Sequence, residues 1–137
     1  MNDSRKKIVA GNWKMNLSLQ EAQSLTAELL GMIQDEKNND SHVYLFPPFV
    51  YINNIYRQIQ NSTINVGAQN CADQISGAYT GETSVTMLNS VGASAVLIGH
   101  SERRTYYHES NQSCANKINL ALQQGINPFY CIGETLN

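Results

Sequence analysis

Short apolar runs alternate along this chain with longer amphipathic stretches. Lys7 to Ala10 reads as a strand that ends at Gly11. Ser18-Leu19-Gln20-Glu21 has the form of a capping box, with serine accepting from an amide three residues on and glutamate reaching back. Behind it, Ala22, Leu25, Leu29, Leu30 and Ile33 recur on one helical face, and Asp35 to Ser41 reads as a polar loop. Val43 to Phe46 gives a second strand, stopped by Pro47 and Pro48, which have no amide hydrogen to donate. Phe49, Ile52, Ile55, Tyr56 and Ile59 predict a second helix, and Ile64 to Ala68 a third strand. Ser84 caps a short helix with Met87, Leu88 and Val91 inward and Gly92 closing it. Ala95 to Ile98 is the fourth strand, Ser110 caps a helix carrying Ala115, Ile118 and Leu122 as far as Gly125, and Phe129 to Ile132 is the fifth strand.

The order is strand, helix, strand, repeated until a fifth strand is reached. The strands are apolar runs rather than alternating patterns, which predicts a parallel sheet buried on both faces by helices. Polar and glycine-rich residues gather just after strands, at Asn12 to Asn16, Gln69 to Gly81 and His100 to Glu109. In parallel α/β proteins the strand C-termini carry the site, so these three loops are predicted to share one rim.

Composition narrows the class. The 137 residues fit one domain, 1–137, with a core of its own, and 42% hydrophobic content is globular. Charged residues reach only 15%, below the usual quarter, which implies surface covered by a partner subunit or further chain. The net charge of −2 leaves no electrostatic footprint for nucleic acid or an anionic membrane. Cys71, Cys114 and Cys131 fit neither a zinc spacing nor a disulfide framework, so a reducing, cytoplasmic setting is expected. The apolar run after Arg5, Lys6 and Lys7 is too short for a signal peptide, and no stretch is long enough to span a bilayer.

The densest chemistry is Ile98-Gly99-His100-Ser101-Glu102-Arg103-Arg104, at the end of the fourth strand. A histidine and serine after a strand are, in isolation, more often a polar turn than a site. Here Lys14 and Asn12 follow the first strand and share the predicted rim, where an ammonium and an amide can hold an anion or stabilise an oxyanion. Glu102 is placed to pair with Lys14 and keep it charged. Neither a GxGxxG fingerprint nor a phosphate-cradling P-loop follows the first strand, which argues against a nucleotide-binding domain.

Five segments, in order, resemble the triosephosphate isomerase family: Ala10-Gly11-Asn12-Trp13-Lys14-Met15-Asn16, Gly67-Ala68-Gln69-Asn70, Gly77-Ala78-Tyr79-Thr80-Gly81-Glu82, Ile98 to Arg104, and Cys131-Ile132-Gly133-Glu134-Thr135-Leu136. The resemblance covers essentially the whole chain and implies a (β/α)₈ barrel, with the first four βα units and the fifth strand present. It implies interconversion of dihydroxyacetone phosphate and glyceraldehyde 3-phosphate through an enediolate, with no metal and no organic cofactor. Carried over residue by residue, His100 is the electrophile, Lys14 the electrostatic stabiliser and Asn12 a substrate contact, with Ser101 and Glu102 in support. The family is itself the known example of a catalytic histidine kept neutral by a helix N-terminus. The resemblance also implies a homodimer, in which Thr80 reaches toward the neighbour's Asn12 and Glu82 pairs with Arg103 across the interface. Val85 departs from the pattern, since many relatives begin that helix with proline. His42 and His108 match nothing catalytic and read as surface residues, and Cys131 as a small core residue.

The glutamate that abstracts the substrate proton belongs, in the family, to a loop after a sixth strand, in a segment resembling Tyr-Glu-Pro-Val-Trp. That segment does not occur here, nor do the closing lid and the later phosphate loops. None of Glu82, Glu102, Glu109 or Glu134 is a convincing substitute, since each fits another place in the motifs. The expectation is therefore an N-terminal portion of a barrel, inactive in isolation. The alternative is a non-catalytic half-barrel that binds or assembles through the loop of Thr80 and Glu82.

Overall fold

The computed structural model describes Arg5 and residues 7–35 and 41–133. Its frame is one curled, five-stranded sheet in the order β1-β2-β3-β4-β5, every neighbouring pair parallel. The strands are β1 (Lys7–Asn12), β2 (Ser41–Phe46), β3 (Ile64–Ala68), β4 (Ala95–Ile98) and β5 (Asn127–Tyr130). The helices are α1 (Leu19–Asp35), α2 (Ile52–Ile59), α3 (Val85–Ser90), α4 (Ser101–Tyr106) and α5 (Asn111–Gln123). A 3₁₀ turn at Phe49–Tyr51 leads into α2. Of the predicted loop 35–41, Asp35 closes α1 and Ser41 opens β2, and the residues between lie outside the described ones, as do Glu134, Thr135 and Leu136 of the last motif.

Alternation within the strands divides the core into two layers. Leu45 of β2, Ile64, Val66 and Ala68 of β3, and Val96 and Ile98 of β4 face the helices and pack with Ile52, Ile55, Ile59, Val85 and Leu88. The intervening residues Phe46, Ala95 and Leu97 form a second cluster on the other face, joined by Tyr44, Phe129 and Cys131. The rings pack there, Tyr44 tilted against Phe129 at 4.9 Å and Phe46 edge to face with Phe129 at 5.4 Å between centroids. Gly67 makes this layer possible, because a Cβ added there would lie 2.4 Å from the Phe46 ring and 2.8 Å from the Ala95 carbonyl oxygen. Gly67→Ala is expected to cost roughly 1–3 kcal/mol of unfolding free energy through overpacking. Urea denaturation of the two proteins measures it, and an unchanged midpoint would show that Phe46 moves aside freely.

The capping box is present: Ser18 N and Oγ both donate to Glu21 Oε2, at 2.7 and 2.8 Å. Those two bonds hold the Glu21 carboxyl below the usual carboxylate range. Ser84 accepts from Met87 N, and Ser110 from Ser113 N, as the sequence predicts. The inward faces differ in detail. On α3 the buried pair is Val85 and Leu88, and Met87 is exposed, because it stands about 200° around the helix from Val85. On α5 the buried stripe is Cys114, Lys117 and Ala121, leaving Ala115 and Leu122 exposed and Ile118 half-buried. Phe49 and Tyr56 are exposed flanks of the second helical segment rather than its core face. β5 begins two residues earlier than predicted and ends at Tyr130, with Ile132 exposed. Its Pro128 stands in register opposite Val96 of β4. His108 is exposed and adopts a left-handed φ of 52°, whereas His42 is a half-buried residue of β2.

Candidate active site

The parallel sheet brings the ends of β1, β3 and β4 to one rim, and with them the three polar loops. The first loop is fixed by its neighbours' backbones. Trp13 N donates to Phe46 O at 3.1 Å, and the Gln69 amide donates to both Lys14 O and Phe46 O at 2.8 Å. Lys14 itself has a left-handed φ of 56°, a strained conformation for a side chain of this kind. Its amide is satisfied by Asn12 Oδ1 at 3.0 Å, so Asn12 and Gln69 together hold the strained residue.

This geometry carries the lysine across to α4. Lys14 Nζ lies 2.6 Å from Glu102 Oε1, a contact between residues 88 positions apart. The Lys14 hydrogen bond holds the Glu102 carboxyl below its ordinary range, so Glu102 is a carboxylate at neutral pH. Both side chains are about half exposed, and the pair fixes orientation more than it adds stability.

His100 is the N-cap of α4. Its Nδ1 accepts from Glu102 N at 3.2 Å, the side-chain bond by which N-caps satisfy a first-turn amide. A ring nitrogen that accepts from an amide carries no proton, so this bonding pattern assigns a neutral imidazole with its proton on Nε2. Glu102 Oε2 stands 3.6 Å from the same Nδ1, beyond hydrogen-bonding distance. His100 borders two cavities. One of about 230 Å³ is shared with Asn12, Lys14, Asn70, Glu102 and Arg103; the other, about 630 Å³, with Gly99, Ser101, Arg104, Tyr130 and Gly133.

The turn into His100 needs glycine. Gly99 has φ +75°, and a Cβ there would meet Arg104 Nη2 at 2.8 Å and the Tyr130 ring at 3.0 Å. Each nitrogen of the Arg104 guanidinium donates: Nε to Gly99 O, Nη1 to Asn111 Oδ1 and Nη2 to the Tyr130 hydroxyl. Below this turn lies a group that the sequence did not reveal as a unit: Glu109 and Lys117, both buried, in direct hydrogen-bonded contact. Burial pushes the Glu109 carboxyl up, but Lys117, Arg103 and the Gly99 amide outweigh it and hold it below the usual range. The available signal was a lysine in the middle of the Cys114–Ala121 stripe.

The remaining predicted residues are placed as follows. Ser101 is the exposed first residue of α4. Thr80 and Glu82 are exposed on a loop closed at its base by Ala72 N donating to Thr83 O at 2.8 Å. Arg103 makes no ion pair with Glu82 within the chain; its Nε stands 3.5 Å from Glu109 Oε1 and its guanidinium lies over the Tyr107 ring, 4.8 Å from the centroid. All three cysteines are free thiols, and burial pushes each upward, Cys71 to about 12, which leaves them poor nucleophiles at neutral pH.

A curled parallel sheet with helices, and polar loops gathered at its C-terminal rim, is the architecture of a partial βα-barrel. Comparison with known proteins gives the particular family. The triosephosphate isomerase profile matches residues 7–137. The triosephosphate isomerases of Phocaeicola vulgatus and Porphyromonas gingivalis are each 48% identical over 132 residues, covering 96% of this chain and 52% of theirs. That of Thermoanaerobacter pseudethanolicus is 41% identical over 133 residues, covering 97% and 52%. The chain belongs to the triosephosphate isomerase family, and it spans about half the length of the curated relatives it matches. No helix among the described residues is long and apolar enough to cross a membrane.

Proposed function

We propose that the full natural protein carrying these residues interconverts dihydroxyacetone phosphate and glyceraldehyde 3-phosphate, in the cytoplasm and as a homodimer. The observation that carries this reading is the Nδ1 of His100 accepting from Glu102 N, beside the Lys14–Glu102 pair. The bond leaves Nε2–H as a donor toward a substrate carbonyl. As a proton leaves the adjacent carbon, the carbonyl oxygen gains negative charge, and the Nε2–H and the Lys14 ammonium stabilise it. A neutral imidazole then passes a proton between the two oxygens of the enediolate without being trapped as an ion pair. Asn12 holds Lys14 in its strained conformation and contacts the substrate.

The proton itself goes to a carboxylate. Among the described residues Glu102 is occupied by Lys14 and Glu109 by Lys117, and Glu82 stands on the exposed loop. We place the base outside residues 1–137, in the position the family gives it, and expect these residues alone to show no measurable isomerisation. Thr80 and Glu82, on their exposed loop, reach the rim of a second copy, where Glu82 meets the guanidinium of Arg103.

A coupled assay of dihydroxyacetone phosphate conversion tests the proposal. The full natural protein is expected to turn over and the 137-residue piece is not. An inactive full protein sinks the isomerase reading. Activity in the piece that His100→Ala abolishes would instead reveal a base among these residues.

A further inference from the structure

Glu109 and Lys117 are a carboxylate and an ammonium almost wholly out of water, with side chains 2% and 7% exposed. A buried pair of this kind is weak evidence for stability, since apolar residues of the same volume often fold as well or better. Its other bonds show what an apolar pair would fail to do. Glu109 Oε2 accepts from Gly99 N at 3.1 Å, and Gly99 immediately precedes His100. Glu109 Oε1 also stands 3.5 Å from Arg103 Nε, on the first turn of α4. Lys117 Nζ donates to Asn70 Oδ1 at 2.9 Å, and Asn70, itself buried, borders the cavity shared by Asn12, Lys14 and His100.

The pair therefore ties four segments at one point: the loop after β3, the β4–α4 turn, α4 and α5. The turn is held from both sides, its Gly99 carbonyl by Arg104 and its Gly99 amide by Glu109. With a left-handed φ at Gly99, the direction of the next residue depends on how that peptide is anchored. We infer that Glu109 is a positioning residue: its carboxylate, whose charge Lys117 balances, fixes the Gly99 amide and so sets where His100 stands. The inference rests on reading His100 as the electrophile.

Two double variants of the full natural protein separate positioning from packing. E109L/K117M removes both charges and the acceptor for Gly99 N. E109Q/K117M removes the same charges but leaves an amide oxygen to accept from Gly99 N. E109L/K117M is expected to fold with a Tm close to wild type and to lose about 10- to 100-fold in kcat, with KM within about twofold. E109Q/K117M is expected to recover most of that kcat. The ¹⁵N spectrum of the His100 ring, recorded without substrate, is expected to shift in the leucine variant and to match wild type in the glutamine variant. Wild-type kcat and an unshifted His100 spectrum in both variants overturn the inference. So does equal loss in both with a lowered Tm, or failure of either to fold, since each makes the pair a requirement of folding alone. If the wild-type protein does not isomerise triose phosphates, the functional reading fails, and the His100 spectrum still decides positioning.

Discussion

Replacing Lys117 alone by methionine is expected to destabilise the folded protein by about 3–5 kcal/mol at neutral pH, the usual result of leaving one buried charge without its partner. Lys117 is the direct counter-charge of Glu109, and the two contact each other inside the fold. In the variant, the Glu109 carboxylate keeps the Gly99 amide and the more distant Arg103, but loses its ammonium. The sign of the pH dependence follows from the direction of the Glu109 shift. In the wild type its folded carboxyl is held below the ordinary range, so the stabilisation is full above the unfolded carboxyl's pKa and is lost as pH falls through the folded one. In Lys117→Met, burial is opposed by fewer charges, and protonation relieves the uncompensated carboxylate instead. The deficit against wild type is therefore expected to shrink between pH 7 and roughly pH 4, where carboxyls take up protons. Urea denaturation of both proteins across that range measures it. A deficit independent of pH would assign the loss to packing and not to charge.

Lys117 also marks where pattern reading failed. Its stripe on α5 contains a cation, so apolar periodicity chose Ala115, Ile118 and Leu122 and turned the helix too far. Only the partner at Glu109 makes a lysine an inward residue, and partnership between elements is not written in local periodicity. β3 and β4 behaved differently. Ile64–Ala68 and Ala95–Ile98 match their predicted bounds, because strands covered on both faces are apolar at nearly every position, Asn65 being the one polar residue here. β1 runs two residues past its apolar segment, to Asn12, since backbone pairing of Gly11 and Asn12 with Leu45 and Phe46 needs no apolar side chain. Pro128 drew the predicted start of β5 too late, because proline reads as a strand breaker, yet it stands in register opposite Val96 of β4.

The candidate site was more legible than the helix faces. Lys14 and Glu102 sit in separate motifs, yet both follow strands that a parallel sheet must bring to the same rim, and their pairing at 2.6 Å follows from that topology. The grip beneath His100 was not legible, because its acceptor, Glu109, lies ten residues from Gly99 and contacts it only once the chain has turned back.

His100→Asn in the full natural protein is expected to lower kcat by about 10²–10⁴-fold, the contribution typical of a positioned acid–base group. Asparagine is the informative replacement. His100 caps α4 through Nδ1, and alanine would remove that bond along with the chemistry, at a typical cost near 1 kcal/mol. An asparagine side-chain oxygen can accept from Glu102 N in its place, so α4 and the Lys14–Glu102 pair keep their support. What asparagine cannot do is take a proton from one substrate oxygen and return one to the other, because its amide does not titrate near neutral pH. The fall is therefore expected in kcat, with Tm close to wild type and KM little changed, since Lys14 and Asn12, the substrate contacts proposed above, are left in place. Steady-state kinetics beside a thermal melt separates these quantities. A kcat within about threefold of wild type, with the fold intact, would mean that another donor polarises the carbonyl, and Lys14 is the group then left to do it.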